Sequence, residues 1–247
     1  MILSVEHVSF GYSRDRLVLD DVSLTVRRGS NLGIVGESGS GKTTLLRLLL
    51  GLNRPSRGTI RFGDQVLDAG NRSFMRSYRR SVQAVFQDPY SSLDPRQSVF
   101  GIIAEPLQSL DIPVPYREAV AEALVAVGLP ADAMNRYPHE FSGGQRQRIA
   151  IARAIVARPK IVLADEAVSA LDLSTRIRIV ELLRTLGQSM TLVLVSHDLG
   201  VVASLCEDIV ILERGRIVES GKTRAILDAP QHAYTRKLID SAPRMPA

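Results

Sequence analysis

The sequence predicts an α/β fold with a parallel sheet, an N-terminal antiparallel β subdomain and an inserted α-helical subdomain. Apolar and polar residues alternate over the first 30 residues, as in antiparallel strands with one buried face. Residues 97–158 carry helical periodicity and almost no strand pattern. Short apolar strands on either side of this stretch alternate with helices, which is the order that produces a parallel sheet.

The elements follow from local patterns along the chain. An apolar strand at 32–35 precedes a glycine-rich loop and a helix from about 43 to 52, which Pro55 and Gly58 bring to an end. We expect a meander of strands at 3–5, 8–10 and 18–26, with a turn at 13–16. We expect the later strands at 59–67, 82–86, 161–163, 191–195 and 209–212, and the later helices at 145–157, 174–186 and 199–205.

The chain of 247 residues is long enough to bury one large core. We therefore expect a single domain over 1–247. Its α/β core would comprise 1–95 and 159–230, its helical subdomain 96–158, and its short C-terminal tail 231–247.

The composition excludes several classes of protein. The single cysteine, Cys206, excludes an intrachain disulfide and a cysteine-ligated cluster. No run of about 18 apolar residues and no signal-peptide pattern is visible, so we expect a cytoplasmic protein. The formal net charge of +5 would suit nucleic acid or an anionic membrane. Solvated helix faces explain it as well, because no block of five or six basic residues occurs.

A phosphate-binding loop stands between the first apolar strand and its helix. It reads Gly36-Glu37-Ser38-Gly39-Ser40-Gly41-Lys42-Thr43 and matches G-x-x-x-x-G-K-[ST]. Glycines let backbone N–H groups turn toward phosphate oxygens, and the helix N-terminus adds partial positive charge. We expect Lys42 to reach the β- and γ-phosphates and the Thr43 hydroxyl to bind Mg²⁺. The core is therefore predicted to be a P-loop NTPase core.

A second apolar strand, at 161–164, ends in two acids, Asp165 and Glu166. In a P-loop fold, Asp165 would hold Mg²⁺ and Glu166 would polarise an attacking water as a general base. The alternative is that the two acids only cap the following turn and helix. The phosphate loop upstream favours the catalytic interpretation.

A third motif, Phe141-Ser142-Gly143-Gly144-Gln145, opens a helix and offers another set of backbone N–H groups to an anion. One active site does not need two such loops. A head-to-tail dimer does, because each loop can then close on the nucleotide of the other chain. With these motifs in this order, the sequence resembles the ATP-binding subunit of an ABC transporter, an ABC ATPase cassette, over nearly its whole length.

The resemblance implies a role for further residues. Tyr12 resembles the aromatic residue that stacks on adenine, Gln87 the Q-loop glutamine, Ser169-Ala170-Leu171-Asp172 the D-loop, and His197 the switch histidine. The implied cofactors are ATP and Mg²⁺, with Thr43, Gln87 and Asp165 at the metal and Glu166 and His197 as the catalytic residues. The implied nucleotide-binding residues are Tyr12, Gly36, Glu37, Ser38, Gly39, Ser40, Gly41, Lys42, Thr43, Thr44 and Gln87, and the residues acting on the partner's ATP are Ser142, Gly143, Gly144 and Gln145.

Three longer stretches are similar to the oligopeptide/dipeptide/nickel importer subfamily, and to the second of its two ATPases. They are residues 87–95, 136–141 and 232–236. This resemblance implies a transported peptide, nickel or metal chelate, and partners comprising permease subunits, a second ATPase subunit (identical or different) and a separate solute-binding protein. It places the chain at the cytoplasmic face of the bacterial inner membrane. Ala167 departs from the family's usual proline, and the tail has no cysteines.

Two other functions are weighed against this one. A soluble ABC ATPase acting on nucleic acid or ribosomes would suit the charge. Such proteins usually carry two cassettes or a long coiled-coil insert, so we expect no nucleic-acid partner. A P-loop kinase would need an acceptor site and would have no use for residues 141–145.

Overall fold

The computed structural model describes residues 1–13, 16–168 and 171–241, with all of their side chains except those of Pro89 and Ser91. The described strands are β1 (Leu3–Phe10), β2 (Leu19–Val26), β3 (Leu32–Val35), β4 (Arg57–Phe62), β5 (Gln65–Val66), β6 (Val82–Val85), β7 (Ile161–Asp165), β8 (Thr191–Ser196), β9 (Asp208–Glu213) and β10 (Arg216–Lys222).

The described α-helices are α1 (Lys42–Leu49), α2 (Arg72–Ser81), α3 (Pro89–Ser92), α4 (Val99–Ser109), α5 (Tyr116–Ala126), α6 (Gly143–Ile155), α7 (Leu173–Leu186), α8 (Leu199–Leu205), α9 (Thr223–Asp228) and α10 (Ala233–Ser241). Short 3-10 helices lie at Ala131–Asn135 and Pro138–Glu140. Within the described ranges, each helix is too short or too polar to cross a membrane.

The first compact unit comprises Met1–Met75 and Gly187–Ala247. It contains an antiparallel sheet in the order β2-β1-β4-β5. It also contains the buried strand β3, which pairs in parallel with both β8 and β9, so that Ile34 stands opposite Val195 and Val210. Strand β10 runs antiparallel to β9. The predicted combination of a parallel sheet and an N-terminal antiparallel subdomain is confirmed.

The second compact unit comprises Arg76–Leu186. Strands β6 and β7 pair in parallel, with Ala84 opposite Leu163. Helices α4, α5 and α6 pack against one another through side chains that are fully buried, including Ile103, Leu107, Leu124 and Ile149. The predicted helical character of 97–158 is therefore confirmed, and the proposed boundaries at 95/96 and 158/159 stay a prediction.

The N-terminal strands differ in detail from the sequence expectation. β1 is one strand rather than two. Its register shifts between Val5 and Val8, around His7 with φ 52°, and this irregularity breaks the alternation of apolar and polar residues. The expected strand at 59–67 is instead the pair β4 and β5, joined by a turn at Gly63 with φ 58°. Of the predicted turn at 13–16, Ser13 and Arg16 form a bridge, and residues 14 and 15 lie outside the described residues.

Some helix ends also differ. α1 ends at Leu49 rather than 52, because Gly51 takes a left-handed backbone with φ 67° just after it. α6 begins at Gly143, two residues earlier than expected. The sequence did not predict helices α2, α9 and α10 or strand β10, because polar residues interrupt the periodic spacing of their apolar ones. In α2, for example, only Met75 and Tyr78 are buried.

Candidate functional site

The phosphate loop joins β3 to α1, and its glycines stand where other residues would be strained or would clash. Gly39 and Gly41 have φ 81° and 108°. A Cβ on Gly36 would lie 2.2 Å from the Leu212 carbonyl oxygen. The loop conformation therefore depends on glycine at these positions.

The start of α1 has the features of an anion-binding site. Gly41 is its N-cap and contributes no capping side chain, and the start of a helix presents backbone N–H groups and partial positive charge to an anion. Lys42 is only 6% exposed, and its Nζ donates to the carbonyl oxygens of Gly36 and Glu37 at 2.7 and 2.9 Å. The ammonium group thus lies inside the loop, next to an exposed Thr43.

Tyr12 lies in the same unit as the loop and is 61% exposed. Its ring packs edge-on against Phe10, with centroids 5.0 Å apart. Its hydroxyl lies 3.4 Å from Thr44 Oγ1 and accepts from Arg47 Nη1 at 3.5 Å. The hydrogen bond with Thr44 lowers the pKa of the phenol. This arrangement fixes the ring while leaving it accessible, as a stacking surface requires.

His197 leaves β8 at the edge from which the phosphate loop leaves β3. Val35 and Ser196, the last residues of these parallel strands, stand opposite each other. The turn after β8 is held by Ser196 Oγ, which accepts from Asp198 N at 2.9 Å, and Asp198 in turn caps α8. The structure therefore brings the exposed His197 to the end of the sheet where a P-loop fold binds its ligand.

In the second unit, Gln87 and Glu166 meet. Gln87 Nε2 donates to Glu166 Oε2 at 3.0 Å. Asp165, the last residue of β7, is 7% exposed. Glu166 has φ 45°, a backbone conformation that is uncommon outside glycine and that is often found at functional sites. Ala167, in place of the proline, is buried.

The Ser142–Gln145 motif forms a capping box at the start of α6. Ser142 Oγ accepts from Gln145 N at 3.4 Å, and Gln145 Oε1 accepts from Ser142 N at 2.9 Å. A Cβ on Gly144 would lie 2.3 Å from Thr175 Cγ2 of α7, so Gly144 permits a close approach of the two helices. The sequence pattern predicted the loop but not this mutual capping.

A cavity of about 230 Å³ lies beside these residues in the second unit. It is lined by Gln87, Asp88, Tyr90, Gly143, Gln147, Ala167 and Leu171. Sequence reasoning missed Gln147, which is 1% exposed and whose amide has no hydrogen-bond partner among the described residues. The available signal was a glutamine one turn before buried Ile151, on the apolar face of α6.

Asp172 begins α7. Its Oδ1 accepts from Thr175 N at 3.0 Å and from Ser174 Oγ at 2.7 Å, and these hydrogen bonds lower its pKa to about 2. The D-loop aspartate is therefore an ionised helix cap. Ser169 and Ala170 of the predicted D-loop lie outside the described residues.

The residues proposed for Mg²⁺ offer only oxygen donors: the Thr43 hydroxyl, the Gln87 amide oxygen and the Asp165 carboxylate. Such hard donors suit Mg²⁺, which also takes ligands from nucleotide phosphates. Across the described ranges, no group of three or more His, Cys, Asp and Glu side chains could hold a metal by itself. Each of these oxygen donors, taken by itself, therefore suits a metal that arrives with its nucleotide.

Comparisons with known proteins identify the family of the chain. The family model for ABC transporters matches residues 19–169, and that for the oligopeptide/dipeptide transporter C-terminal region matches residues 218–247. A Brucella ovis protein, named provisionally as a peptide import ATP-binding protein, is 45% identical over 92% of this chain and 73% of its own. A Brucella abortus protein of the same designation is 46% identical over 93% of this chain and 71% of its own.

Two solved structures are also similar. CbiO1 of Clostridium perfringens, part of the ABC transporter complex cbiONQ, has a TM-score of 0.82 and 28% identity and covers 92% of this chain and 90% of its own. The ATP-binding cassette MJ0796, in a dimeric post-hydrolysis state bound to ADP and Pi, has a TM-score of 0.79 and 30% identity and covers 90% of this chain and 99% of its own.

Proposed function

Because the chain belongs to the ABC transporter family, we propose that it is the ATPase subunit that energises a membrane importer of peptides. The chain binds and hydrolyses ATP. The observation that carries the proposal is the 45% identity, over 92% of the chain, to relatives named for peptide import. Nickel and a metal chelate are the other solutes that the same subfamily suggests.

ATP would bind with its adenine on Tyr12 and its phosphates on the loop 36–44. The Ser142–Gln145 loop of a second ATPase subunit would then close on the γ-phosphate. ATP favours this closed dimer because the γ-phosphate contacts both chains, whereas ADP lacks it. The dimeric state of the similar cassette MJ0796 supports this proposal.

Hydrolysis would begin when Glu166 orients a water molecule for in-line attack on the γ-phosphate. Lys42 and His197 would neutralise charge that develops on the phosphate oxygens. Mg²⁺, held by Thr43, Asp165 and Gln87, would supply further charge neutralisation. Gln87 donates a hydrogen bond to Glu166, so a movement of the Q-loop would also move the proposed general base.

The segment after Gln87 would dock on a permease subunit. Tyr90 in α3 is 62% exposed, and Arg146 of α6 stacks on its ring at 4.2 Å. This surface therefore connects the Q-loop to α6, the helix that begins at the Ser142–Gln145 loop, called here the signature loop. We place the chain at the cytoplasmic face of the bacterial inner membrane, bound to permease subunits. A separate solute-binding protein would deliver the cargo.

The first test is Glu166→Gln. It should retain ATP binding and lose hydrolysis, because the amide cannot accept the proton of the attacking water. Phosphate release and fluorescent-ATP binding measure the two steps, with Glu181→Gln on the exposed side of α7 as the matched control. Near-wild-type turnover of Glu166→Gln would refute the general-base assignment.

Two further variants test the nucleotide contacts. Lys42→Ala should abolish ATP binding, so unchanged ATP affinity would contradict its phosphate role.

Ser142→Arg should spare ATP binding by the monomer and block ATP-driven dimerisation, measured by light scattering. A dimer formed by this variant would contradict the proposed role of the signature loop.

Transport is tested by reconstituting the chain with permease subunits and a solute-binding protein in vesicles. A peptide mixture should stimulate ATP hydrolysis, whereas NiCl₂ and a nickel chelate should not. Stimulation by nickel alone would reassign the cargo within the subfamily.

A further inference from the structure

The C-terminal segment 231–241 contacts the phosphate loop within the first unit. Glu37 N donates to Tyr234 Oη at 2.8 Å, and Lys237 Nζ lies 3.1 Å from Glu37 Oε1. Tyr234 is 7% exposed, and burial raises the pKa of its phenol, so the hydroxyl stays neutral at physiological pH. A loop residue is thus bonded through both its backbone and its side chain to one helix.

Hydrogen bonds at the start of α10 fix the position of Tyr234. Glu219 of β10 accepts from the backbone N–H groups of Gln231 and His232 at 2.9 and 3.1 Å. His232 Nδ1 accepts from Tyr234 N at 3.2 Å at the start of α10. The neighbouring Thr235 is fully buried, so the helix that carries Tyr234 is packed against the rest of the unit.

The loop is held at a second point on the same side. Gly215, in the turn between β9 and β10, donates its N–H to Ser40 O at 2.9 Å, and Ser40 N donates to Glu37 O at 3.2 Å. The backbone between Glu37 and Ser40 is therefore hydrogen-bonded at both ends. Because Gly39 lies between them and adds flexibility, these hydrogen bonds restrict the conformations open to the nucleotide-free loop.

A cavity of about 480 Å³ lies beside the contact. It is lined by residues 37–40 of the loop, by residues 213 and 214, and by residues 232–234 and 237. This space leaves room for the loop to move if the phenol hydroxyl is removed. Ordering the loop before ATP arrives lowers the cost of binding, because less conformational entropy is then lost.

We propose that Tyr234 is a positioning residue for ATP, whose hydroxyl holds Glu37 and thereby keeps the phosphate loop in its nucleotide-binding conformation. The C-terminal segment 231–241 then contributes to ATP affinity in the same chain. The proposal rests on ATP binding at the phosphate loop and is independent of the cargo that the transporter carries.

The test is Tyr234→Phe, which removes one oxygen and keeps the ring. The Kd for ATP should rise about 2- to 10-fold, as expected for the loss of one hydrogen bond, while kcat at saturating ATP stays at the wild-type value. Tyr116→Phe, at the start of α5, is the matched control and should leave the Kd unchanged. A Tyr234→Phe Kd equal to wild type, or a loss confined to kcat, would overturn the proposal.

Hydrogen exchange in the nucleotide-free chain tests the contact directly. The Glu37 amide should be protected in the wild type and should exchange faster in Tyr234→Phe. An unprotected Glu37 amide in the wild type would overturn the proposal, even if the Phe variant did not fold. If the wild type failed to bind ATP, the proposed function would fail first, so the two failures are distinguishable.

Discussion

Gly143 and Gly144 are adjacent, yet their surroundings differ. A Cβ on Gly144 would lie 2.3 Å from Thr175 Cγ2, whereas the nearest atom to a Cβ on Gly143 is Tyr90 Oη at 3.6 Å. The first distance requires a shift of packed atoms, and the second is ordinary contact. The signature motif thus contains one glycine that helix packing demands and one that it does not.

Gly144→Ala should lower the free energy of unfolding by about 1–3 kcal/mol, because the added methyl group overpacks the contact between α6 and α7. Gly143→Ala should stay close to wild type in urea denaturation. Adding Thr175→Ser to Gly144→Ala removes the clashing methyl group and should restore part of the loss. An equal loss in both single alanine variants would contradict this explanation.

Asp172 gives a pH dependence at the residue scale. Its folded-state pKa of about 2 lies below its ordinary value, since Thr175 N and Ser174 Oγ donate to the carboxylate. A depressed pKa contributes stability that is complete above the unfolded-state pKa of about 4 and is lost as the pH falls toward 2.

Asp172→Asn should therefore flatten the acid side of the stability curve. Asparagine also caps helices but does not titrate in this range, so stability at neutral pH should change little. Urea midpoints between pH 5 and pH 2 measure the difference. The prediction fails if the wild type and the variant lose stability in parallel over that interval.

At the scale of elements, α4 and α6 begin in similar ways. Ser98 Oγ accepts from Gly101 N at 3.3 Å, and Ser142 Oγ accepts from Gln145 N at 3.4 Å. Both serines satisfy a first-turn N–H group that would otherwise lack a partner. Only the second serine belongs to the motif proposed to close on a partner's ATP.

Ser98→Ala and Ser142→Ala should each lower the free energy of unfolding by about 1 kcal/mol, because each removes an N-cap. ATP hydrolysis should fall in Ser142→Ala alone. This pair separates helix capping from catalysis, and an equal fall in activity for both variants would reduce the role of Ser142 to stability.

At the scale of the whole molecule, each chain carries a phosphate loop and a signature loop, and the proposed mechanism uses the two in different chains. In such an ATPase, hydrolysis requires dimerisation, so the activity depends on chain concentration through mass action. A chain that completed its own site would show no such coupling.

The ATPase rate per chain should rise with chain concentration over a range of about a hundred-fold below the dimerisation constant and then level off. Ser142→Arg should show no such rise. Phosphate release measured alongside light scattering tests both statements. A constant rate per chain in a sample that stays monomeric would contradict the shared site.

Local patterns predicted β3, β7 and β8 well, because a short run of mostly apolar residues fills each of these buried strands. They failed for α2 and β10, whose exposed polar residues carry too weak a period. They also divided β1 in two, because the irregularity at His7 breaks the alternation of a single paired strand.

The sequence alone was enough to predict the family and to name the candidate site residues, because the glycines, Lys42, Asp165 and Glu166 occur in short motifs whose spacing is local. Which distant groups meet became visible in the folded chain alone. Gln87 and Glu166 are 79 residues apart, and Glu37 and Tyr234 are 197 apart. Such contacts depend on how packed elements bring loops together, and no local periodicity encodes that arrangement.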